Sequence, residues 1–86
     1  MKRLIETVDV AGLDALMGEQ VLLLCMNYFY TGKLVGVNDT FVELQSPAIV
    51  YETGPWNEKG FKDAQPLHVS EFFVQRAAIE AYGKAK

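Results

Sequence analysis

The residue types that carry most enzyme chemistry are scarce in this sequence. Cys25 is the only cysteine and His68 the only histidine, and 43 residues separate them along the chain. No Ser/His/Asp or Cys/His set can be assembled from them, and no glycine-rich phosphate loop is present. One histidine and one cysteine also fall short of a His- or Cys-based metal site. Cys25 lies in the apolar run "VLLLCM", where a thiol is expected to act as a small buried hydrophobe. With a single cysteine, no intrachain disulfide can form. His68 is expected to open a strand with one ring nitrogen satisfied. Glu43, Glu52, Glu58, Glu71 and Glu80 are scattered and read as solvated faces. The expectation is a protein that is not an enzyme and needs no metal or cofactor.

Binding chemistry is better represented. The loop "GPWNEKGFKDAQP" carries Trp56 and Phe61, which read as anchors holding a long loop against the body. Phe41 sits in an alternating segment, "FVEL", as either a packed strand aromatic or a stacking surface. Eight basic residues stand against eleven acidic ones, a net charge of −3. The basic residues are dispersed, so the chain lacks the excess expected of a non-specific nucleic-acid or membrane binder.

These residues must be positioned by one domain of 86 residues, half of them hydrophobic. The margin of stability in so small a domain is thin, and oligomerisation is one way to widen it. No apolar run is long enough to span a bilayer. The start "MKRLIETVDVAG" has acids where a signal peptide needs an apolar core, which points to a cytoplasmic protein. Residues 2–8 read as a short strand or an arm. Residues 9–18 read as a short helix, with Asp9 as N-cap, Val10, Leu13, Leu16 and Met17 on one face, and Gly18 as the stop.

Residues 20–53 read as three strands: an apolar one, a long one over 28–37, and an alternating one from Phe41, with Pro47 marking a bulge or break. A loop is expected over 54–66 and the last strands over 67–83. The first of these is "LHVSEFFV" and the second is Ile79 to Tyr82, although "RAAIEAY" also has helical propensity. Gly32 and Gly36 interrupt the second strand. Glycine weakens strands but permits sharp bends, and four-residue spacing puts both on one face, with Lys33 on the other. A short helix followed by five strands, one glycine-bent, describes a small, strongly bent barrel.

The segment "GEQVLLLCMNYFYTGKLVGVNDTFVEL" resembles the Sm-like (LSm/Hfq-type) family over roughly residues 9–82. Gly32, Leu34 and Gly36 match the bent second strand, Asp39 the turn acid, Phe41 the stacking position and Val42 the apolar one. Glu43 falls where many members carry asparagine, and Asn38 is one extra residue before the turn. In "VQRAAI", Arg76 matches the family's second-motif arginine, with Ala77 in place of glycine. The resemblance implies a mainly β fold: a five-stranded Sm-like (SH3-type) barrel with a short N-terminal helix. It further implies a homo-oligomeric ring, in which the fourth strand of one copy meets the fifth of the next. Single-stranded RNA would be held at a pore-side pocket formed by Asp39, Phe41, Glu43 and Arg76, with Lys33 outlying. A ring without nucleic acid is the other reading.

Overall fold

The computed structural model describes residues 12–86. The expected arm over 2–8, Asp9 and Val10 lie outside the described residues. The expected helix is reduced to one 3₁₀ turn, Leu13–Leu16. Glycines with positive φ stand on both sides of it, Gly12 at 82° and Gly18 at 84°. Gly18 then donates its N–H to the Leu34 carbonyl at 2.7 Å, which draws the chain into the sheet before a second turn can form. Leu13 is buried and Leu16 packs on the core, but Met17 is exposed.

Six strands follow: β1 (Gln20–Cys25), β2 (Phe29–Val37), β3 (Phe41–Glu52), β4 (Asp63–Pro66), β5 (Phe72–Gln75) and β6 (Ile79–Lys84). All pairings are antiparallel. The path runs β4-β3-β2-β1-β6, with β5 also paired to β3, and its ends are not joined by a ladder among the described residues. A mainly β architecture is therefore present, with six strands in an open path rather than five.

The extra strand has a physical cause in β3. Its first half takes β5, pairing Val42 with Val74. Its second half takes β4, pairing Val50 with Ala64. Between the halves Ser46 adopts φ 52° and Pro47 follows, so the bulge expected there bends one long strand without ending it. The expected strand "LHVSEFFV" cannot follow that bend in one piece. Residues 67–71 leave the sheet, and His68 is exposed on this crossing instead of opening a strand. The loop expected over 54–66 is correspondingly shorter, because its polar end "DAQP" is β4. The last strand lies where expected but runs two residues further, and the helical propensity before it appears as a second 3₁₀ turn, Arg76–Ala78.

β1 is covered on both sides, with Val21, Leu22 and Leu23 all buried. The core joins Leu13, Val21, Leu23, Cys25, Leu34, Val42, Leu44 and Val74. Thr31, the buried polar residue, donates its hydroxyl to the Val21 carbonyl at 2.8 Å, so it is satisfied. Among the described residues no helix is long and apolar enough to cross a membrane.

The two glycines of β2 do not share a face. Gly32 pairs with buried Val21, whereas Gly36 pairs with Glu43. Leu34 faces Leu44 and Gly36 faces Glu43, which leaves Val35 as an extra residue that resets the alternation. A Cβ on Gly32 would stand 3.2 Å from the Gln45 carbonyl oxygen and 3.3 Å from Pro47 Cα, both backbone atoms. On Gly36 it would meet the Glu43 side chain at 3.3 Å. The close approach of backbones is at Gly32.

Candidate functional site

The turn between β2 and β3 is built by Asn38. Its Oδ1 accepts the N–H groups of Thr40 and Phe41, both at 2.8 Å, and its own N–H donates to the Phe41 carbonyl at 3.0 Å. A short amide side chain that folds back on the following backbone is the turn-forming property of this residue type. The residue that the family motif leaves over is thus the one that sets the turn.

Arg76, distant in sequence but next to the turn in space, closes it from the end of β5. Its guanidinium donates to the Asn38 carbonyl at 2.7 Å, and its backbone N–H donates to the Thr40 carbonyl at 2.9 Å. The second 3₁₀ turn delivers Arg76 to this point directly after β5. Asp39 shares a recess of about 240 Å³ with Arg76, Asp14 and Tyr82. Phe41, the next strand residue, pairs with Gln75, the neighbour of Arg76. Its ring is 37% exposed and meets the Phe73 ring edge-on, with centroids 5.1 Å apart. Glu43 lies opposite Phe73, half-buried, with its side chain across Gly36.

Asp39, Phe41, Glu43 and Arg76 therefore gather at one end of β3. Lys33 does not join them. It is exposed on the sheet opposite Gln20 and Gln45.

Sequence reasoning missed a second feature, an aromatic groove of about 250 Å³ beside β5. Tyr28, Tyr30, Phe72 and Phe73 line it, with Met26 at the rim 78% exposed. The Tyr30 and Phe72 rings stand 5.4 Å apart although their strands are not paired there. The signal was the alternation of Tyr28 and Tyr30, but nothing local connects it to "FF" forty residues later. Cys25 also lines this groove. Burial, reinforced by the charge of Glu80, pushes its thiol up from 9.0, so it stays protonated near neutrality and is a poor nucleophile. Burial raises the Tyr30 phenol too, with Cys25 and Tyr28 adding to the effect.

Trp56 is 59% exposed and so is not an anchor buried against the body. Among the described residues no group of three or more His, Cys, Asp or Glu side chains could hold a metal ion. Compared with family models, with curated proteins and with solved structures, the chain has no match.

Proposed function

We propose that the chain is a small barrel of the Sm-like type whose function is to join copies of itself, edge to edge, into a closed ring. The observation that carries this reading is the state of two of the three outer strands, β5 and β6; the third, β4, pairs with β3 alone. Among the described residues β5 pairs with β3 alone and β6 with β1 alone, so each has a free row of backbone N–H and C=O groups. Such edges are templates for a further strand. Glu80 and Lys84 place charge on β6, but both edges also carry exposed aromatic rings. Phe73 on β5 is 47% exposed and Tyr82 on β6 is 44% exposed. Pairing β5 of one copy with β6 of the next is a head-to-tail contact, which repeats and closes when the rotation allows.

The barrel part of the reading is supported by curvature. Tyr30 on β2 and Phe72 on β5 cover the same core from flanks that share no ladder there. A flat sheet would hold them apart. Light scattering on a sizing column tests the assembly: a mass several times that of one chain is expected. A monodisperse monomer at micromolar concentration rejects it.

A second reading, single-stranded RNA as partner, is favoured by one specific observation. The exposed Phe41–Phe73 pair lies beside Arg76, and stacking on an aromatic contributes about 1–3 kcal/mol per base without reading sequence. Glu43 opposes it for some bases, since a carboxylate offers acceptors only and disfavours the acceptor-rich edge of uracil. Labelled oligo-adenine and oligo-uridine, titrated at two salt concentrations, test this. Adenine is expected to bind better, and affinity must fall with salt. Phe41→Ala should weaken both. Glu43→Asn should improve uridine binding by about 1 kcal/mol, the scale of one neutral hydrogen bond. No binding to either polymer removes RNA from the proposal and leaves the assembly intact.

A further inference from the structure

The loop between β3 and β4 surrounds an ammonium group. Lys86 Nζ donates to the Thr53 carbonyl at 2.5 Å and to the Pro55 carbonyl at 2.7 Å, with the Gly54 carbonyl at 3.5 Å. The same nitrogen stands 5.0 Å from the centre of the Trp56 ring and 5.6 Å from that of Phe61. Three carbonyls and two aromatic faces thus converge on one cation. An ammonium has three N–H donors, and aromatic faces attract the remaining positive charge. Gly54, at φ 72°, takes a conformation that turns successive carbonyls toward one point, and side chains with a Cβ rarely adopt it.

We propose that residues 53–61 form a binding site for primary alkylammonium groups, that Lys86 is its intramolecular occupant, and that a lysine side chain of another chain can take its place.

A tie for the loop needs far less than this. The Gly60 N–H already donates to the Lys86 backbone oxygen at 3.0 Å, which fixes the loop to the chain beyond β6. The cage also lies outside the core: neither aromatic belongs to the buried cluster, and Trp56 is largely exposed. One wall therefore faces solvent, and the occupant can exchange without opening the sheet.

The charged neighbours are mixed. Glu58, Lys59 and Lys62 line the recess, and Lys62 pairs with Glu52 at 3.6 Å. Long-range attraction for cations is thus small, and selection falls to the short contacts. These select for N–H donors. A quaternary ammonium keeps the aromatic attraction but loses the carbonyl bonds, and a neutral acetylated lysine loses the charge.

Trp56 is the only tryptophan, so its fluorescence reports on this site alone. The wild-type chain and Lys86→Ala are titrated with Nα-acetyl-lysine methylamide, its Nε-acetylated form and tetramethylammonium. The lysine amide is expected to give a saturable change in Lys86→Ala at a concentration at least tenfold below that needed in the wild type. Tetramethylammonium should need at least a tenfold higher concentration than the lysine amide, and the Nε-acetylated form should give no saturable change. The absence of saturation in a folded Lys86→Ala, an equal response from both proteins, or tetramethylammonium matching the lysine amide overturns the proposal. Where Lys86→Ala folds poorly, Lys86→Gln is assayed as well, with the thermal midpoint as readout. n-Butylammonium should raise the midpoint of the variants and leave that of the wild type unchanged, since a ligand that binds only the folded state stabilises it. No rise in either variant is equally fatal.

Discussion

Gly32 and Gly36 look equivalent in the sequence, yet their surroundings differ in how far they can yield. A side chain on Gly36 meets Glu43 Cβ and Oε1, both at 3.3 Å, and of these the carboxylate end can rotate away. One on Gly32 presses on the backbone of β3 at Gln45 and Pro47, where the bulge fixes the strand. Gly32→Val should therefore lower the urea midpoint most, with a stability loss of about 1–3 kcal/mol, typical of overpacking. Gly36→Val should cost less, and Lys33→Val, at an exposed strand position, should stay within about 0.5 kcal/mol. Urea titration of the three variants measures the order directly. A Gly36→Val midpoint below that of Gly32→Val would place the close approach at the wrong glycine. That two glycines interrupt this strand was legible in the sequence. Their faces were not, because Val35 adds a residue that only pairing with β3 reveals.

The turn 38–40 is the element that connects sheet to site. Asn38 holds it from within and Arg76 holds it from the end of β5, both through hydrogen bonds to backbone atoms. Asn38→Ala removes two of these bonds and should cost about 1–2 kcal/mol, while Asn38→Asp, which keeps the accepting oxygen, should cost less. Thermal or urea unfolding of both variants checks this, and equal losses would show that the side chain does not organise the turn. β1, a continuous apolar run, and β3, which alternates from Phe41, could be read from sequence. β4 could not: "DAQP" has no pattern of its own and is a strand only because the second half of β3 offers it backbone partners. The split of "LHVSEFFV" has the same origin, since the bend at Ser46 lies in a different strand. The grouping of Asp39, Phe41, Glu43 and Arg76 was expected from a resemblance rather than from local pattern. Lys33 was carried along by proximity in sequence to a turn that its place in the ladder keeps it from reaching.

At the scale of the whole molecule, the free edges and the exposed aromatics coincide. β5 presents Phe73 to the groove shared with Tyr28 and to the ring of Phe41, so apolar surface and unpaired backbone lie on the same flank. Under the proposed assembly, a neighbouring strand placed there would satisfy the backbone and cover the rings in one step. Phe73→Glu separates assembly from folding. The position is 47% exposed, so the fold of one chain should tolerate a carboxylate. Glu43, directly opposite in the same chain, adds a modest repulsion within the fold, and a second copy would have to bury both carboxylates. The expected outcome is a lower mass by light scattering, approaching one chain, with an unchanged far-UV circular dichroism spectrum. Phe73→Leu, which keeps the apolar contact, should retain the assembly. If Phe73→Glu leaves the mass of an oligomer untouched, the copies meet through another surface, and the pairing of β5 with β6 must be abandoned even if a ring exists.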